Sequence, residues 1–401
     1  MNVIQKLGYD STDTPYVDRL EELTPVYACA KCVQDCTINI NKKGVSFKSG
    51  IEYVIPVATF LETYEDGKIF VPSNISFKER YKGYRGEDLT GKSLLIWRYG
   101  GIGDLLFIQP IVKYLKAKYD CRIGFATSPN NLDILRSWPP GLLSVISPQP
   151  FSTRLMDDFD YHLTFEGGLE RCKEGAELNA YDVFRKIAYL DYNIADYLPE
   201  LVVDQELRRI LGPYVDNNVV AVQLRASSPL RSYPLDRAPE FSNAFLRYGF
   251  VPGLIDHRQY AGGIQDYMVT AGVPPSRFEN LALLSATLFH YIALLDLCAG
   301  TVAVDSSGVH IAAALKKPVL GIYGAFPGLL RMRYYPTGAW IDKSNWNDCG
   351  HKPCMVHHMS KNVCDDISKG EFPGCMNAIS VDEIAEAFSA TFSSLSTPRS
   401  S

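Results

Sequence analysis

Two doubly wound α/β halves facing a cleft, preceded by a β-rich extension, are what this sequence predicts, and three observations carry the prediction. A strand, loop and helix alternation begins at Ser93 and restarts at Val219, and alternation of that kind implies parallel sheets covered by helices. Two apolar runs far apart in the chain end in strand-to-helix turns made of small and polar residues, Tyr99-Gly100-Gly101-Ile102-Gly103-Asp104 and Asp305-Ser306-Ser307-Gly308-Val309-His310. Residues 1–90 show no such alternation and read as short strands.

Taken in order, the extension (1–90) contains Val54 to Phe60 and Lys68 to Val71 on either side of Asp66-Gly67. A hairpin is expected there, because Asp-Gly supplies the positive φ of a tight turn. The polar, glycine-bearing stretch Tyr84 to Lys92 is the junction to the first half, residues 91–205. There Leu94 to Trp97 is a buried strand, Leu105 to Tyr119 is helical in period, and Arg122 to Ala126 is the next strand. In the second half, residues 206–388, the expected strands are Val219 to Leu224, Gly253 to Asp256, Gly300 to Val304 and Pro318 to Tyr323. The serine-rich tail, 389–401, is expected to fray.

With 40 basic and 45 acidic residues the formal charge is −5, and no run of lysine or arginine makes an electrostatic case for nucleic acid. The N-terminus lacks the apolar core of a signal peptide, and the most apolar stretch, Leu283 to Val304, is broken by His290 and Asp296. A cytoplasmic protein with no membrane span is therefore expected. Ten cysteines in that compartment stay reduced, so clusters among them point to metal rather than disulfides. One cluster is Cys29, Cys32 and Cys36; the other is Cys349, Cys354, Cys364 and Cys375, interspersed with His351, His357 and His358. The second set suits a structural zinc or iron. Cys121, Cys172 and Cys298 sit in apolar contexts and read as core.

A helix that opens just after a strand presents unpaired N–H groups and attracts anions such as a diphosphate. The dinucleotide fingerprint does not account for the first turn, since Leu106 stands where its third glycine is required and the next strand ends in Thr127-Ser128 rather than an acid. The lysine and hydroxyl of an ATPase phosphate loop are also missing.

Arg98-Tyr99-Gly100-Gly101-Ile102-Gly103-Asp104-Leu105-Leu106, with Pro110 and Leu115-Lys116 downstream, resembles the opening strand, Gly-Asp turn and first helix of glycosyltransferase family 9, the ADP-heptose heptosyltransferases and their relatives. Asp305-Ser306-Ser307-Gly308-Val309-His310-Ile311, followed by Lys317-Pro318, resembles that family's donor-binding motif, and Ile292 to Asp296 fits the helix before it. Arg231-Ser232-Tyr233-Pro234 resembles its Lys-x-Trp-Pro. The resemblance spans Gly91 to Gly324 and gives residues 1–90 no counterpart. It implies the two-domain GT-B fold, a nucleotide-sugar donor that is ADP-linked, and inverting transfer with no metal at the diphosphate.

The roles it implies are chemically reasonable for these residues. Asp104 matches the general base that takes the acceptor proton. Gly100, Gly101 and Gly103 form the acceptor-side loop around it. Arg231, Asp256, Asp305, Ser306, Ser307, Gly308, Val309 and His310 are the expected donor-binding residues, with His310 adding a hydrogen bond or positive charge at the leaving diphosphate. The pattern departs from the family at Ser307, where glycine is usual. Cysteines grouped late in the chain resemble those of heptosyltransferase-like proteins that glycosylate proteins and bind iron. The acceptor is left open among a glycan, a protein and a modified DNA base, and a degenerate fold serving as a metal-containing binding module is the non-enzymatic alternative. A helix N-cap is the competing role for Asp104.

Overall fold

In a computed structural model, residues 17–23, 27–40, 43–56, 70–72, 80–346, 349, 354 and 364–392 are described. The chain divides into two compact units, one of Met1–Arg136 with Pro140–Tyr197 and the other of Ser137–Pro139 with Leu198–Ser401.

In the first unit, β1 (Tyr27–Cys32) leads into a two-stranded ribbon of β2 (Cys36–Ile40) and β3 (Lys43–Phe47). β1 then pairs antiparallel with β4 (Glu52–Pro56) on one side and β5 (Phe70–Pro72) on the other. The expected hairpin is thereby corrected: β1 stands between β4 and β5 and pairs antiparallel with both. The Asp66-Gly67 turn lies outside the described residues.

The parallel sheet of this unit contains β6 (Ser93–Arg98), whose six residues are all buried, followed by α1 (Ile102–Lys118), β7 (Arg122–Thr127) and β8 (Val145–Pro148). After β9 (Phe151–Ser152) comes β10 (Tyr161–Thr164), and the sheet order is β10-β6-β7-β8 with every pair parallel. Winding therefore reverses between β6 and β10, the point outside whose carboxyl ends such sheets bind ligands. β9 belongs to the other sheet, where it pairs with β4. One core joins the two sheets: Tyr27, Cys29 and Val54 pack with Leu95, Trp97, Phe151 and Phe159. Tyr27 meets the Trp97 ring edge-on at 5.7 Å, a geometry worth ~1 kcal/mol beyond area burial.

The second unit is one parallel sheet in the order β12-β11-β13-β14-β15. Its strands are β11 (Val219–Gln223), β12 (Val251–Leu254), β13 (Gly300–Val304), β14 (Val319–Tyr323) and β15 (Gly338–Asp342). Winding reverses between β11 and β13. The stretch Leu283 to Val304 resolves into α2 (Leu288–Leu297), capped by the Thr287 hydroxyl on the His290 N–H, and β13. α3 (Ser307–Ala314) follows β13 directly. The C-terminal helix Val381–Thr391 returns Phe388 to the core against Phe245 and Phe250. Among the described residues no helix is long and apolar enough to cross a membrane.

Candidate active site

Asp104 is not the N-cap of α1; that position is Gly101, in extended conformation, and Asp104 stands three residues on. Its Oδ2 accepts the Gly101 N–H at 2.9 Å and a hydrogen bond from Arg98 Nη2 at 3.0 Å. Both bonds fall on one oxygen and leave Oδ1 without a protein partner among the described residues. Arg98 is the last residue of β6 and almost fully buried. Its guanidinium also meets Glu166 Oε2 at 3.2 Å, the Phe165 carbonyl at 3.1 Å, and the Glu170 carboxylate. Burial opposes the arginine's charge, but Glu170, Asp104 and Glu166 outweigh it and hold the guanidinium protonated.

Three carboxylates therefore share one guanidinium at the reversal of winding in the first unit. Burial pushes the Glu166 carboxyl up, while Arg98 and the Tyr99 N–H pull it down. Tyr27, from the extension, donates its hydroxyl to Glu166 Oε1 at 2.9 Å. Sequence reasoning did not reach Glu166, Glu170 or Tyr27, whose partners are distant in the chain. Gly100 has a packing role: a Cβ there would lie 2.0 Å from Asp104 Oδ2 and 2.5 Å from Arg98 Nε. Asn131 Nδ2 holds the Gly100 carbonyl at 2.6 Å. Gly101 opens into free space, and Gly103 lies in the first turn of α1.

In the second unit Ser306 is the N-cap of α3, but its hydroxyl does not cap. It donates instead to Gln223 Oε1 at 2.8 Å, so the first-turn N–H groups from Ser307 to Val309 have no side-chain cap from Ser306. Arg231 lies beside this turn, its Nη1 donating to the Asp305 carbonyl at 2.9 Å and standing 3.5 Å from Asp305 Oδ2. Its Nη2 donates to the Ser227 hydroxyl at 2.8 Å. Gly308 and Val309 are buried against the sheet, Ser307 is half-buried, and a Cβ on Gly308 would collide with Gln223 and Tyr291.

His310 is interior, its Nδ1 2.7 Å from the Tyr335 hydroxyl. Burial lowers its pKa to about 4, with Asp305 opposing and Arg331 and Arg231 assisting. The imidazole is therefore neutral near pH 7, and the positive charge expected of it is not available. Asp256 lies two residues past β12, its Oδ1 accepting the His257 N–H at 2.7 Å and its Oδ2 3.6 Å from Arg225 Nε. Arg225 in turn stacks on the Tyr260 ring at 3.5 Å.

The four late cysteines, Cys349, Cys354, Cys364 and Cys375, line a single cavity of about 240 Å³ together with Trp346 and Asp366. Burial and then the neighbouring thiols Cys349 and Cys364 push Cys354 up to about 11, and burial with Cys354 pushes Cys375 up to about 12. Among the described residues no group of three or more histidine, cysteine or acidic side chains has metal-holding geometry. His351, His357 and His358 lie outside the described residues. The early cluster is corrected. Alternation along β1 sends Cys29 into the core with Trp97 and Cys32 to the opposite face with Phe47, so the two do not converge on one ion.

Residues 179–361 match the sequence model of glycosyltransferase family 9 (heptosyltransferase). No curated protein matches the sequence. Among solved structures, a family 9 glycosyltransferase from Veillonella parvula is 11% identical, with a TM-score of 0.56 over 76% of this chain and 98% of its own. ADP-heptose lipopolysaccharide heptosyltransferase II from E. coli is 14% identical, with a TM-score of 0.53 over 76% of this chain and 100% of its own. TibC from enterotoxigenic E. coli, an iron-containing dodecameric glycosyltransferase, is 12% identical, with a TM-score of 0.52 over 96% of this chain and 99% of its own. At these identities the likeness establishes the fold, GT-B with a β-rich N-terminal region. Coverage by TibC extends into residues 1–90, which the sequence motifs had left without a counterpart.

Proposed function

We propose that this chain, which belongs to glycosyltransferase family 9 through residues 179–361, moves a heptose or related sugar from an ADP-linked donor to an acceptor hydroxyl with inversion, Asp104 serving as general base. The observation that carries the reading is the division of labour within one carboxylate. Oδ2 is anchored by Arg98 and the Gly101 N–H, and Oδ1 is left to accept a proton. TibC has also been solved with ADP-D-β-D-heptose, which supports the choice of donor.

In this mechanism the acceptor O–H gives its proton to Asp104 Oδ1 as its oxygen bonds to the anomeric carbon. The bond from that carbon to the diphosphate breaks, and ADP departs. A single displacement inverts the anomeric centre. Charge developing on the diphosphate is met by the N–H groups of the first turn of α3 and by Arg231. His310, neutral, contributes through hydrogen bonding rather than charge.

The four thiols line one cavity and are donors of the kind zinc and iron take, but as placed among the described residues they lack metal-holding geometry, so a metal here rests on donor chemistry alone. Cys349, Cys354, Cys364 and Cys375 would hold a structural zinc or iron, and the iron of TibC supports the second. Held there, such an ion would cross-link the positions of Cys349, Cys354, Cys364 and Cys375 and would take no part in sugar transfer.

The test is Asp104→Ala. Transfer from ADP-heptose to a panel of glycan, protein and nucleic-acid acceptors should fall by about a thousandfold, with ADP-heptose binding near that of the unaltered protein. Activity retained to within a few fold would remove Asp104 from the role.

A further inference from the structure

We infer that the side-chain amide of Gln223 is a contact for the donor's diphosphate, held in orientation by Tyr291 and Ser306; the inference rests on the second unit being the nucleotide-sugar half. Gln223 is the last residue of β11 and stands beside β13, so it flanks the place where the winding of this sheet reverses. Ligands of parallel sheets settle outside the strand ends at that place.

The amide is fixed in a specific way. Its Oε1 accepts the Tyr291 hydroxyl at 2.8 Å and the Ser306 hydroxyl at 2.8 Å. A Cβ on Gly308 would lie 2.2 Å from that oxygen, so the amide is pressed directly against the first turn of α3. Two donors fill the acceptor capacity of Oε1. What remains is the Nε2 amino group, which has no partner among the described residues, on a residue only 9% exposed. The amino group is not among the buried side-chain atoms that lack a partner, so it reaches solvent, and its two N–H donors, oriented by the bonds to Oε1, are open to a ligand.

The surrounding chemistry identifies that ligand as an anionic oxygen. The N–H groups opening α3 lack a side-chain cap because the Ser306 hydroxyl is committed to Gln223. Arg231 brings a positive charge to the same turn. Gln223 thus does two things at once: it draws the serine hydroxyl away from the helix end, and it adds donors to the set facing the phosphates. Nothing in the sequence marks it, since it lies before the Arg231-Ser232-Tyr233-Pro234 motif and far from Asp305.

Titration calorimetry with ADP distinguishes a contact from a merely structural amide. In the Gln223→Glu variant a carboxylate oxygen still accepts from Tyr291 and Ser306, but the N–H donors give way to negative charge. A contact predicts ADP binding weaker by at least about tenfold, with the melting temperature held. Gln223→Met removes the donors without adding charge, and its ADP affinity should fall by about fivefold or more; it serves should the first variant not fold. Affinity within about twofold of the unaltered protein in a folded variant would overturn the inference alone. Failure of the unaltered protein to bind ADP would overturn it together with the assignment of the donor half.

Discussion

Acidification should selectively weaken the second unit through His310. The unfolded imidazole titrates near 6.5, whereas the buried one beside Tyr335, Asp305, Arg331 and Arg231 titrates near 4. Between those values the unfolded chain binds a proton that the folded protein refuses, so stability is full above about 6.5, declines as pH falls, and has lost its whole His310 contribution near pH 4. At 1.36 kcal/mol per unit the complete loss is ~3 kcal/mol, and a step from about pH 7 to about pH 5 removes ~2 kcal/mol of it. Carboxylates also titrate across this range, so the assay is a difference of differences. Denaturant unfolding is compared at the two pH values for the unaltered protein and for His310→Asn, which keeps an oxygen for the Tyr335 hydroxyl but has nothing to protonate. The variant should lose ~2 kcal/mol less than the unaltered protein on the same step. Equal losses, within about 0.5 kcal/mol, would refute the claim that His310 is held neutral by burial.

Two further outcomes follow from the packing. Gly100→Ala places a methyl group between Asp104 Oδ2 and a guanidinium fixed by four groups. It should cost ~1–3 kcal/mol of stability and lower the turnover number by at least about tenfold through misplacement of the base; a fully active variant would show that Asp104 does not depend on this geometry. Protein expressed with iron and zinc both supplied should contain about one equivalent of metal by plasma emission spectrometry, and Cys354→Ser should lower it sharply. A metal-free, folded protein would leave the four thiols as ordinary core residues.

How much of this was legible from residues alone depends on the range of the interactions concerned. β6, α1, β7, β11, β13 and β14 are runs with their own periodicity, and all lie within a residue or two of where the pattern puts them, apart from the first three residues of α1. β8 and β15 are mostly half-buried and β10 has only four residues, and their pairing comes from neighbours supplied by other parts of the chain. The hairpin expectation failed because a strong local turn signal says nothing about β1, which outcompetes the closer partner. Asp104 and the Asp305 to His310 turn could be found by motif, being contiguous. Arg98 has partners at Glu166 and Glu170, and Gln223 at Tyr291 and Ser306, separated by dozens of residues; no spacing rule reports them. The neutrality of His310 is a property of depth, which a motif cannot carry.

β9 has only two residues, yet it decides what kind of object the N-terminal region is. Phe151 and Ser152 come from the middle of the first α/β half and close the edge of the extension's sheet on β4. Trp97 meets Tyr27 as well as Phe151 and His162, and the Tyr27 hydroxyl ends on the carboxylate that steadies Arg98. A module acquired whole would sit on its host without borrowing a strand or an aromatic neighbour. Here each party is unfinished without the other, so residues before the junction cannot be trimmed away as an accessory. A substitution at Tyr27, Val54, Trp97 or Phe151 is therefore felt on both sides of the junction.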